Sequence, residues 1–149
     1  MMIPEHEALI RTTWAVVSPR AAALVDRFYQ ALFEISPESR ALFDHTDPGA
    51  LERKFLATLD ELVRVVDDPE RLVSVLAPLG RRHGGYGVEP AHYRAAAAAL
   101  MTALRETCGE GFTAEAHEAW RELYNLVAAV MMRGGEQVGR SDSRTVVQV

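Results

Sequence analysis

Five of the seven prolines follow Ser, Asp or Glu: Ser18-Pro19, Ser36-Pro37, Asp47-Pro48, Asp68-Pro69 and Glu89-Pro90. A Ser or Asp side chain at an N-cap accepts a hydrogen bond from the open first turn. Proline at the first helical position has no N–H to waste and a preset φ. The Ser and Asp pairs predict helix starts, and Glu89-Pro90 a weaker one, because Glu caps poorly. Pro4 with Glu5 and Glu7, and Thr113 with Glu115, predict two more. Between the starts, apolar residues recur at helical spacing. Examples are Leu9, Ile10, Trp14 and Val17; Leu24, Val25, Phe28 and Leu32; and Trp120, Leu123, Tyr124 and Val127. No stretch alternates with period two beside an Asn-Gly or Asp-Gly turn, and no repeat of about 20–50 residues is visible. The chain is predicted to be all-α, with about seven helices, two of them very short.

Composition bounds the rest. A chain of 149 residues is expected to fold as one domain. That domain is placed at residues 1–138, with 139–149 a loosely ordered tail because it is polar, then VVQV, and uncapped. Net charge is −5, a poor match to nucleic acid, which asks for a basic patch. The single cysteine, Cys108, allows no internal disulfide, is expected to be an inert buried thiol, and fits a reducing compartment. The start MMIPEHEALI has neither a basic n-region nor an apolar h-region. The apolar runs AAAAALM and LVAAVMM are too short to span a bilayer. A cytoplasmic protein without membrane association is expected.

The stretch LGRRHGGYG, residues 79–87, carries the candidate chemistry. Leu72, Leu76, Leu79 and His83 share one helical face, so the imidazole continues an inward apolar stripe. Pro78 predicts a kink or break, and Gly84 with Gly85 predicts a left-handed cap behind His83. Spacing alone suits either a buried, hydrogen-bonded neutral histidine or an axial metal ligand. No histidine pair has HExxH or other zinc spacing. One inward histidine without partner ligands suits a metal that brings its own equatorial ligands, as haem does.

Several motifs together resemble the bacterial single-domain globins related to the globin domain of flavohaemoglobins. They are RFYQALF (27–33), ALFDHT (41–46), ERKFLATL (52–59), LGRRHGGYGVEPAHY (79–93) and FTAEAHEAWRELYNLVAAVM (112–131), and the likeness spans about residues 5–134. The resemblance implies a three-over-three globin fold, with haem b between the fourth and fifth helices. It implies that His83 is the proximal iron ligand and that Tyr29 points at the distal face. Phe43 would pack on the porphyrin, Tyr93 would stand on the proximal side, and Leu79 would line the cofactor. Trp120 and Tyr124 match core positions of the last helix. Lys54, Arg81 and Arg82 are candidates for pairing with the propionates.

The chain departs from that family at several places. Leu51 stands where such globins carry glutamine, which leaves Tyr29 as the distal donor. Phe55 stands where leucine is usual and is expected to crowd the ligand pocket. Gly135 replaces a glutamate that would raise the basicity of the proximal histidine. No GxGxxG fingerprint is present, so turnover would need an external reductase. The expected function is binding of O2, NO and other diatomic ligands such as CO, in support of nitric oxide dioxygenation. The alternatives are non-enzymatic oxygen or sulfide binding, haem handling or gas sensing, or a haem-free helical interaction module.

Overall fold

The structure is a computed structural model that describes residues 2–44, 46–85 and 87–141, the last seven as backbone only. Six α-helices carry the fold: α1 (Pro4–Val17), α2 (Ala21–Ile35), α3 (Pro48–Arg64), α4 (Pro69–Gly85), α5 (Pro90–Cys108) and α6 (Ala114–Ser141). Short 3-10 turns occupy Ser18–Arg20, Pro37–Phe43 and Gly109–Gly111, and there is no strand among the described residues. Helix α6 continues through residues 139–141. The remainder of the expected tail lies outside the described residues, as does His45.

Local chemistry sets most of the starts. Asp47 Oδ2 accepts the Ala50 N–H at 2.9 Å at the head of α3. Asp68 Oδ1 accepts the Arg71 N–H at 3.2 Å at the head of α4. Thr113 Oγ1 accepts the Ala116 N–H at 3.1 Å at the head of α6. Two expectations fail here. Ser18 begins a 3-10 turn that continues into α2, so it caps nothing. The Ser36 hydroxyl is taken by Glu38 at 2.8 Å and by Ser39 at 2.7 Å, so it does not cap either. Glu89 does better than its propensity suggests. Its side chain accepts the backbone N–H of His92, and His92 Nδ1 accepts the Glu89 N–H at 2.8 Å, a reciprocal box.

Helix α4 also differs from expectation. It runs through Pro78 without a break, because its two halves are held against α6 by packing on both sides of the proline. Gly84 and Gly85 stay helical, and the cap falls at Gly87, whose φ is +85°. The Gly87 N–H bonds to the Gly84 carbonyl at 3.2 Å and the Val88 N–H to the His83 carbonyl at 3.1 Å. That paired 5→2 and 6→1 pattern satisfies the last carbonyls and wants a left-handed residue three positions beyond Gly84. Cys108 is half-buried at the end of α5 rather than sealed in the core, because the chain turns at Gly109 right after it.

Helix packing places two apolar clusters. The larger joins α1, α2, α5 and α6 around Ile10, Leu24, Ala99, Leu104 and Trp120, each 1% exposed or less. The smaller joins the end of α3 to α4, α5 and α6 through Leu62, Val65, Leu72, Leu76, Tyr93 and Met131. Helix α4 packs along α6, and α2 along α5, while α3 leans on α1 and α2. Residues 65–68 alone separate α3 from α4, yet the two helices make no extended contact with each other. An interval is therefore left between two consecutive amphipathic helices.

Candidate functional site

The side of the interval toward α2 is aromatic. Tyr29 sits on α2 with its ring 5.0 Å from Phe28, 5.4 Å from Phe43 and 6.0 Å from Phe55, centroid to centroid. Phe33, one turn on, stacks at 6.0 Å from Tyr29, and the Arg40 guanidinium lies 4.4 Å over the Phe33 ring. Burial holds Tyr29 as the neutral phenol, its pKa well above the ordinary value. Tyr29, Phe33, Arg40, Phe43 and Leu51 line one open cleft of about 1150 Å³, with Asp26, Glu34, Asp44 and Glu52 among its acidic residues. Phe55 turns its ring toward Phe28, 4.7 Å away, and so backs Tyr29 instead of lining the cleft. Leu51 brings only carbon to this cleft, which Tyr29 and Thr46 line with hydroxyl-bearing side chains.

The opposite side is built on α4. His83 is half-buried, and its Nδ1 lies 2.8 Å from the Leu79 carbonyl oxygen, one turn back. A carbonyl only accepts, so Nδ1 carries the proton and the lone pair is on Nε2. Burial is the main cause that lowers the His83 pKa; the Leu79 bond opposes it and the Arg82 charge reinforces it, so the net direction favours the neutral ring. Tyr93 of α5 stands 6.5 Å from the His83 ring, and its own hydroxyl pKa is pushed up to about 12 by burial. The Tyr124 hydroxyl donates to the Tyr93 carbonyl at 2.7 Å and ties α6 to the start of α5.

The anticipated residues thus fall into two sets. Tyr29, Phe43, Leu51 and Phe55 gather around the start of α3 and the middle of α2, and Leu79, His83 and Tyr93 around the end of α4 and the start of α5. Lys54 on α3 and Arg81 and Arg82 on α4 are exposed and form no ion pair among the described residues. Spacing did not disclose Phe33 and Arg40 in the cleft, nor the Leu79 carbonyl as the partner of His83. The last was within local reach, since a helical side chain at i can fold back to the i−4 carbonyl in a suitable rotamer.

Among the described residues no group of three His, Cys, Asp or Glu could hold a bare metal ion. A metal at His83 must bring further ligands. Leu51, Phe55, Val75 and Leu79 on α3 and α4 are left only half-buried by the protein itself, which suits a flat apolar macrocycle in the interval. The globin family model matches residues 26–131. The chain belongs to the globin family. As a globin it takes haem, with its iron, as cofactor, and the six helices are the three-over-three globin fold.

The relatives agree with this globin assignment. The chain is 30% identical over 134 residues to the flavohemoprotein of Bordetella pertussis, covering 89% of this chain and 33% of that protein. It is 26% identical over 134 residues to the flavohemoprotein of Vibrio cholerae, covering 89% and 34%. It therefore spans about one third of the length of these curated relatives. Among solved structures, an engineered carbene transferase from Rhodothermus marinus superposes with a TM-score of 0.83 at 26% identity, covering 93% of this globin and 96% of the other chain. No described helix is long and apolar enough to cross a membrane.

Proposed function

We propose that this globin binds O2, and with it NO and CO, at haem iron held by His83, and that it supports dioxygenation of NO to nitrate with electrons from a separate reductase. The observation that carries the reading is the 2.8 Å contact of His83 Nδ1 with the Leu79 carbonyl, which fixes the tautomer and ring orientation a ligating histidine needs. Bound haem iron supplies the place where a diatomic gas is held and activated. The protein's own groups supply the rest. His83 presents Nε2 from a capped helix end. Tyr29, kept as a neutral phenol by burial, donates its proton toward the polar end of a gas molecule. Phe28, Phe43 and Phe55 pack around the phenol ring and hold it in place. Lys54 and Arg82 are the exposed cations for the carboxylate edge of the cofactor.

Two absences of side-chain function set the reaction class. The acceptor on Nδ1 is a neutral carbonyl, and Gly135 on α6 offers no carboxylate to make His83 more basic. Leu51 offers no amide to assist cleavage of an O–O bond. Both favour gas binding and NO oxidation over peroxidase chemistry. The relatives named flavohemoproteins and the structural likeness to the Rhodothermus protein are consistent with that class. The test is stopped-flow mixing of the O2-loaded protein with NO, followed by a steady-state assay with NADH and an added reductase. One nitrate per haem without reductase, sustained consumption with it, and slow peroxide turnover are expected. Absence of nitrate would leave reversible gas binding as the function.

A further inference from the structure

Helices α4 and α6 meet backbone to backbone beside the histidine. A Cβ on Gly80 would run into the Met131 carbonyl oxygen and lie 2.6 Å from the Met131 Cα. A Cβ on Gly134 would lie 2.9 Å from the Ala77 carbonyl oxygen and 3.3 Å from the Arg81 nitrogen. Both glycines are buried inside helices, and neither has a positive φ. Glycine in a helix interior is costly relative to alanine, so backbone conformation does not explain either residue. Close approach does.

The place of that approach matters. Gly80 follows Leu79, whose carbonyl receives the His83 Nδ1 proton, and it lies one turn before His83. On a helix, Ala77 and Gly80 sit about 100° round from the Leu72, Leu76, Leu79 and His83 stripe. Helix α6 therefore bears on the α4 backbone at Gly80, while the first half of the stripe, Leu72 and Leu76, is buried in the cluster shared with α6 and only its His83 end stays half-buried. Any side chain at Gly80 or Gly134 would push α4 away or turn it about its axis. Either motion re-aims His83.

We propose that Gly80 and Gly134 are positioning residues for His83: their lack of side chains lets α6 bear on the α4 backbone and fixes the rotation at which the imidazole meets the cofactor. This rests on His83 being the haem ligand. Helix α6 continues beyond this contact to Ser141, so its C-terminal part and His83 share one rigid junction.

The test compares Gly134→Ala with Val17→Ala in the haem-loaded protein. The methyl at 134 meets Ala77 near 2.9 Å, a clash that a small helix shift relieves. Val17 is fully buried in α1, in the other cluster, and serves as a control for general destabilisation. The readouts are the iron–histidine stretching band of the ferrous protein by resonance Raman, the rate of haem transfer to an apoglobin scavenger, and the thermal midpoint. Gly134→Ala is expected to move the band and speed haem transfer about tenfold, in the range of changes around a ligating histidine. Val17→Ala is expected to lower the thermal midpoint and leave the band in place. A Gly134→Ala protein with lowered midpoint but unchanged band and transfer rate would overturn the proposal. Absence of the band from the unmodified protein would overturn the ligand reading of His83 and the proposal with it.

Discussion

If O2 binds as proposed, the Tyr29 hydroxyl sets how long it stays. Tyr29 faces the cleft as a neutral phenol, and Leu51 across from it has nothing to donate. A hydrogen bond of this kind contributes about 0.5–1.5 kcal/mol net, more where water is excluded. Tyr29→Phe is therefore expected to speed O2 release by about tenfold, since roughly 1.4 kcal/mol is a factor of ten. CO, which accepts a hydrogen bond weakly, should leave at a rate much closer to that of the unmodified protein. Flash photolysis and stopped-flow displacement measure both rates, and equal acceleration of the two gases would assign the role of Tyr29 to bulk instead. The ring cage matters to this outcome. Phe28, Phe43 and Phe55 stay in the variant, so the phenyl ring keeps its place while only the hydroxyl is lost.

The helices show which signals act locally and which do not. Asp47 caps α3 through the Ala50 N–H, and the same first turn carries Leu51. Asp47→Ala should cost about 1 kcal/mol of stability, seen as a lower urea midpoint at unchanged slope. A changed slope would mean that the variant alters the compactness of one state and not the cap alone. Asp47, Asp68 and Thr113 were legible in the sequence because a cap involves residues only two or three positions away. Ser36 was misread because two other side chains compete for its hydroxyl. Gly84 and Gly85 were the expected cap, but it falls at Gly87, where a positive φ lets two bonds reach back to His83 and Gly84. Pro78 does not break α4, because the burial of Leu72 and Leu76 and the packing along α6 outweigh the roughly 3 kcal/mol that an interior proline costs. The meeting of Gly80 with Met131 was beyond local reading. Its only trace was a run of small residues at Ala77, Gly80 and Gly84 on one side of α4.

The molecule as a whole is two clusters with an interval between α3 and α4. A cofactor held there as proposed would complete that interval, which would link folding to haem binding. Hydrogen exchange on the haem-free protein should show the first turns of α3 and the His83 end of α4 exchanging fastest, while α2 and the middle of α5 stay protected. Uniform loss of protection would mean that haem holds the whole fold rather than one side of it. At this scale the site was half legible. The His83 stripe follows from helical period and the RFYQALF segment from the family resemblance, while the ring cage of Phe28, Phe43 and Phe55 around Tyr29 follows only from how the helices pack. The central claim is that His83 is the protein ligand to haem iron, and the visible absorption spectrum of the ferrous His83→Ala protein, with and without added imidazole, tests it most directly. The account predicts that the five-coordinate histidine spectrum disappears, haem is held loosely, and imidazole restores the spectrum in part; a His83→Ala protein that keeps that spectrum unaided would contradict it.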